Sequence, residues 1–321
     1  RTAQSVDATA GPRPMSTPVL IIGAGAAGLS AGYYLSQRGI DFRIIEASSA
    51  HGGRMKRTNS FADFPLQMGA EWLHGAPGIL QEIVNDPSIK VDTQVVAYDP
   101  AEALFFCNSE RITIEEAEMA EDRKFVGSSW LDFFEQYMVP SVAAKITYDT
   151  VVDNVDYTAD QVCVSAQGQE FTANRVVITV PLRMLKSGAI TFSPPLSEAK
   201  TAAINDATVW DGCKAFIEFS EKFYPAYWEM EVQPESAGEM CYYDASYGQH
   251  SSQNILGLFA VGTASEPYRQ RSGAEFINYV LAELDSIFEN RASDCYIKHA
   301  FQDWNAEPHI RHVSHLAANQ K

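Results

Sequence analysis

Three glycines and an acid are spaced to hold a dinucleotide. In VLIIGAGAAGLSA, Val19 to Ala31, residues Gly23, Gly25 and Gly28 follow G-x-G-x-x-G. The first permits a tight turn, the second lets a pyrophosphate reach the backbone, and the third lets helix and strand pack closely. Glu46 follows at the distance where a carboxylate accepts hydrogen bonds from ribose hydroxyls. A second loop, HGGRMKR at His51 to Arg57, offers Gly52 and Gly53 for close approach and Arg54 to neutralise a diphosphate. An NAD site has no need of that loop. In FPLQMGAEWLHG, Phe64 to Gly75, the small residues Gly69 and Ala70 let backbone lie against a flat ring.

These residues need a strand, a turn and a helix to position them. Val19 to Ile22 is a short apolar run bounded by glycine, which predicts a buried strand. Leu29, Tyr33, Tyr34 and Leu35 recur at helical spacing in Ala26 to Arg38, and Asp41 to Ile45 supplies a second strand. The helix N-terminus then turns unpaired N–H groups and a positive dipole end toward phosphate. Gln167-Gly168 predicts a hairpin turn. Gly273 to Phe288 predicts an amphipathic helix whose Phe276, Tyr279, Val280, Leu284 and Phe288 face a core.

The run GAGAAGLSA, then E-A, then GGR, then MGAEWLHG resembles the FAD-binding half of the flavin amine oxidase family, which includes monoamine, polyamine and L-amino-acid oxidases. W-L-H-G is most similar to the polyamine oxidases. The resemblance resumes at Ile146 to Tyr157, at the hairpin Gln161 to Leu185, at TFSPPLSEAKTAAI, at Gly212 to Trp228 and at Phe301 to Ser314. It implies FAD as cofactor, held by Gly23, Gly25, Ala26, Ala27, Gly28, Glu46, Ala47, Gly53, Arg54 and the Val152 backbone. It further implies a flavin loop of Met68, Gly69, Ala70, Glu71 and Trp72, with Trp304 beside the ring. Lys214 matches the family's flavin-facing lysine, which holds a water near flavin N5. His74 either binds or deprotonates the ammonium substrate or ends the flavin loop as a hydrogen-bonded histidine. Glu71 reads as a loop anchor.

The chain departs from the family pattern in three places. The second FAD motif, of A-G-E type, is not reached before Lys321; Arg311-His312-Val313-Ser314 stands where relatives carry glycine, an aromatic and serine; and Ile79 to Trp130 is short beside the helical substrate lobe of relatives.

The expected architecture is α/β: a Rossmann-like FAD-binding domain (19–79 and 146–185) and a discontinuous substrate domain of mixed sheet plus helices (80–145 and 186–321), after a flexible leader (1–18). That leader is either the remainder of a removed targeting segment or a boundary without function. A formal net charge of −17 argues against nucleic-acid binding. Five scattered cysteines without C-x-x-C suggest neither a disulfide framework nor a metal site. No apolar run reaches the roughly 20 residues a membrane helix needs. The leading expectation is an FAD-dependent amine oxidase using a small amine and O2. A fold-retaining binding or structural protein is the second, and an NAD-dependent dehydrogenase the third.

Overall fold

A computed structural model describes residues 15–76, 78–99, 103–107, 110–114, 122–230 and 238–316. The glycine turn leaves the end of a strand, Met15–Ile22, whose Leu20, Ile21 and Ile22 are almost wholly enclosed. This strand runs parallel to Phe42–Ile45 on one side, with Val19 opposite Phe42, and to Gln169–Ile178 on the other, with Leu20 opposite Val176. Seven strands make up the sheet, in the order 146–147, 42–45, 15–22, 169–178, 162–166, 152–156, 191–193. It is parallel around the glycine turn and antiparallel through the hairpin. There Gln167 and Gly168, at φ 50° and 81°, form the two-residue turn that reverses the chain.

Alternation along Met15–Ile22 sorts its side chains onto two faces. Ile21 packs with Leu29, Tyr33, Phe42, Phe133 and Val142, under the helices Ala26–Gln37, Trp130–Tyr137 and Val139–Val142. Leu20 and Ile22 pack with Ile45, Val152, Val164 and Phe171.

Three expectations change here. The strand starts at Met15, not Val19, because Met15–Thr17 pair with Phe171–Ala173; the rest of the expected leader, 1–14, lies outside the described residues. Residues 130–142 were expected with the second domain, yet their side chains pack on the first sheet. Thr191–Ser193, expected beyond the nucleotide domain, joins its sheet beside Val152–Asp156.

The second seven-stranded sheet has the order 296–303, 212–219, 254–261, 240–244, 227–230, 103–107, 110–114. It is mixed, with Tyr227–Met230 parallel to Ala103–Cys107. Strand Gly212–Phe219 lies inside it, so its odd-numbered residues Cys213, Ala215, Ile217 and Phe219 bury against Phe276, Val280 and Leu284 of helix Gly273–Ile287. The even-numbered Lys214 consequently points to the opposite face. A small third sheet pairs Asp122–Phe125 with Leu73–His74 and with Val95–Tyr98.

Candidate active site

A cleft of about 1020 Å³ is lined by residues of both large sheets. At one end lies the glycine turn. A Cβ on Gly28 would stand 1.9 Å from the Gly23 carbonyl oxygen, so this glycine sets the helix against the strand; it does not line the cleft. A Cβ on Gly25 would meet no atom within 4 Å, because that position opens into the cleft. The first hydrogen bond of the helix is Leu29 N–H to Gly25 O, which leaves the N–H groups of Ala26 and Ala27 without helical acceptors at the cleft wall.

Glu46 ends the neighbouring strand. Its Oε2 accepts from the Ala24 N–H at 2.6 Å and its Oε1 from the Ser48 N–H at 2.9 Å, which fixes the carboxylate at the wall beside Ala47. The second loop is tied to the first by Gly52 N–H to Ala24 O at 2.9 Å, which brings Gly53 and Arg54 to the cleft. Arg54 donates to the Val313 carbonyl at 2.6 Å and lies 3.4 Å from His312 Nε2; burial pulls its guanidinium below the ordinary arginine range. The departing segment Arg311 to Ser314 thus contributes a backbone oxygen to Arg54. Val152 lines the same end.

The other end is built around Glu71. Gly69 and Ala70 pass under Arg54, whose carbonyl accepts the Ala70 N–H at 2.9 Å; a Cβ on Gly69 would lie 1.9 Å from that oxygen and 2.8 Å from the Trp304 ring. Trp304 donates its indole N–H to Met68 O at 3.0 Å. Met68 itself, expected at the flavin, turns its side chain away into a cluster with Phe64, Leu66 and Phe216 and does not line the cleft. Glu71 is 6% exposed, and its Oε2 accepts from Lys214 Nζ at 2.5 Å and from Tyr243 OH at 2.6 Å. Its Oε1 lies 3.4 Å from Lys124 Nζ. Burial alone would raise the Glu71 carboxyl, but the two ammonium groups and the hydrogen bonds hold it below the usual range. Lys214, 3% exposed, also donates to Gly69 O at 3.0 Å and lines the cleft. Trp72 packs edge-on to Tyr243 with centroids 5.3 Å apart, one face of the residue reaching the cleft. His74 sits at the rim, its side chain 69% exposed, with Nδ1 2.7 Å from Asp122 Oδ1.

Lys124 and Tyr243 are absent from the sequence expectation. Lys124 is 1% exposed, donates to the Ala245 and Asp244 carbonyls at 3.0 and 3.2 Å, and lies 5.4–5.7 Å from the ring centres of Trp72, Tyr243 and Tyr98. The signal for Tyr243 was available only through pairing: Gly257 stands opposite it, and a Cβ there would come within 2.3 Å of the Tyr243 ring.

The open position at Gly25, the free N–H groups behind it and the ring-sized space along Gly69 fit a dinucleotide carrying a flat ring. A profile of flavin containing amine oxidoreductases matches residues 26–143 and 98–318. The chain belongs to that family. FAD is the cofactor of these amine oxidoreductases, which sets aside the NAD reading. Mouse lysine-specific histone demethylase 1B is 22% identical over 91% of this chain and 46% of its own length. Polyamine oxidase 2 of Arabidopsis thaliana is 23% identical over 85% of this chain and 72% of its own. The chain spans about half the length of the demethylases it matches. The demethylase alignment runs over 382 residues, longer than this whole amine oxidoreductase chain of 321, so the relative carries inserted segments. A redesigned putrescine oxidase superposes with a TM-score of 0.74, at 14% identity, over 95% of this chain and 88% of its own, a likeness of fold. Among the described residues no helix is long and apolar enough to cross a membrane, and no group of acids, histidines and cysteines is arranged to hold a metal.

Proposed function

We propose that this chain is an FAD-dependent oxidase of a primary or secondary amine, with a polyamine-type substrate favoured over an amino acid. The observation that supports it most is the enclosed Lys214 at the cleft wall, with Glu71 and the Gly69 carbonyl occupying two of its three hydrogen-bonding positions. Residues Gly23, Gly25, Ala26, Ala27, Glu46, Ala47, Gly53, Arg54 and Val152 would hold the dinucleotide, and Gly69, Ala70, Trp72 and Trp304 would border the ring. Bound FAD supplies the acceptor for a hydride from the amine's α-carbon, giving an imine that water hydrolyses, while O2 takes up the electrons as H2O2.

The protein's share is orientation, exclusion of water and proton traffic. Lys214 presents its remaining position to the cleft, where it holds a water. An amine arrives as an ammonium and must lose a proton before a hydride can leave its α-carbon. His74, with Nδ1 directed at Asp122, keeps Nε2 as the acceptor for that proton at the rim. Glu71 does not touch the substrate in this reading; it orients Lys214.

Stopped-flow absorbance of the flavin band separates reduction by amine from reoxidation by O2. In Lys214→Met, one or both half-reactions should slow by about tenfold to a thousandfold with FAD still bound. Equal rates in the variant would remove Lys214 from the chemistry. A wild-type chain that retains FAD but is reduced by no amine would be a binding protein on this fold.

A further inference from the structure

Two lysines share one carboxylate in this interior, and they are not equivalent. Lys124 has three acceptors around Nζ: Glu71 Oε1 at 3.4 Å, Asp244 O at 3.2 Å and Ala245 O at 3.0 Å. An ammonium has three N–H donors and no lone pair, so this shell matches the charged form. A neutral amine there would aim its lone pair at an oxygen. The rings of Trp72, Tyr98 and Tyr243 surround the same atom and favour a cation as well. Burial pulls Lys124 below the ordinary lysine range, and this shell opposes that pull. Lys124 has no face on the cleft. Lys214 has two protein acceptors and one open position, and it does face the cleft.

We propose that Lys124 is a positioning residue that acts through Glu71: by serving as the permanent counter-charge of that carboxylate, it leaves Lys214 able to give up its third proton to the cleft. With Lys124 in place, the Lys124–Glu71 pair is neutral by itself, and Lys214 need not stay charged to balance Glu71. Without it, Glu71 has Lys214 as its sole neutralising cation, and Lys214 is locked as an ammonium. This rests on the oxidase reading only for the use made of Lys214. The titratable groups around the pair are few. Strand Met240–Asp244 contributes Cys241, Tyr243 and Asp244, and strand Val95–Tyr98 contributes Tyr98. The Asp244 carboxylate is itself held by Lys222 at 2.6 Å. Burial raises Cys241, Tyr243 and Tyr98 far above neutrality, so none of them changes charge between pH 6 and 9.

The test reads Lys214 directly, without turnover. An amine-selective acylating reagent attacks only the free amine, and peptide mass spectrometry measures its rate at Lys214 in the full chain across pH 6–9. Wild-type Lys214 should react near neutral pH, ahead of the chain's exposed lysines. In Lys124→Met the rate at fixed pH should fall by about tenfold or more, and in Glu71→Gln it should rise. Loosened packing would speed labelling in Lys124→Met, so the sign separates a charge effect from a structural one. Lys124→Gln, which keeps donors without the charge, should show the same fall and serves if the methionine variant does not fold. A wild-type Lys214 that stays inert until the ordinary lysine range overturns the proposal, as does an unchanged or faster rate in the Lys124 variants. Failure of every amine to reduce the flavin would sink the oxidase reading and leave these labelling rates standing.

Discussion

The two ends of the cleft are built from opposite materials. Around the glycine turn the wall is backbone: N–H groups at a helix start, a position at Gly25 with nothing near it, and a Glu46 carboxylate pinned by two backbone donors. Around Glu71 the wall is side chains: two buried lysines, a buried tyrosine and a buried carboxylate that satisfy one another. The first end leaves its donors for a ligand, and the second has spent most of its own. Changes at the first should therefore cost ligand and spare the fold, whereas changes at the second should cost the fold even in the empty protein.

Glu71→Gln probes the second end and should have the largest effect. It strips two enclosed ammonium groups of their counter-charge, and urea denaturation should show about 3–5 kcal/mol of lost stability. The pH dependence has a definite sign. Because the folded Glu71 carboxyl lies below its unfolded value, its stabilisation is full above the ordinary glutamate range and fades as pH falls through the lowered folded value. The gap between wild type and Glu71→Gln should close in acid. A gap that stays constant down to the acid transition would mean that Glu71 is not held ionised by its lysines.

Glu46→Ala belongs to the first end. Removing this carboxylate should weaken FAD retention by roughly tenfold to a hundredfold, equivalent to about 1.5–3 kcal/mol. Flavin fluorescence titration measures it, and unchanged affinity would displace the cofactor from this wall. The smallest stability effect is expected at Gly25→Ala, where the new methyl meets no protein atom: unfolding should stay within about 0.5 kcal/mol of wild type while FAD affinity drops. Gly28→Ala is the contrast. Its methyl would strike the Gly23 carbonyl, so this variant should lose about 1–3 kcal/mol of stability before any ligand is added. If Gly25→Ala unfolds as easily as Gly28→Ala, the distinction between the two ends fails.

The sequence shows the first end and hides the second for a physical reason. Gly23, Gly25, Gly28 and Glu46 lie close together along the chain, and a turn, a helix and one parallel neighbour bring them into place, so spacing alone describes them. Glu71, Lys124, Lys214 and Tyr243 come from a loop and three strands of two sheets, and only the pairing of those strands makes them neighbours. Lys214 was reached through family resemblance. Lys124 had no such signal, since a lysine in an Asp-Arg-Lys-Phe strand reads as solvent-facing. The start of the first strand was missed because Met15–Pro18 is not an apolar run; what holds it is pairing with Phe171–Ala173. Met68 shows the limit of a motif. It stands in the flavin loop, but its side chain is drawn off to the core by Phe64 and Leu66.

The topology also orders events during synthesis. The strand that carries the glycine turn finds Phe42–Ile45 almost at once, but its other neighbour is Gln169–Ile178, with Leu20 against Val176. At roughly 5–20 residues per second, a ribosome takes on the order of ten seconds or more to supply that partner. Through that interval Met15–Ile22 has one open hydrogen-bonding edge and a wholly apolar end, the features that invite wrong pairing between nascent chains. The nucleotide cradle is thus among the first parts of the protein to be made and among the last to be closed.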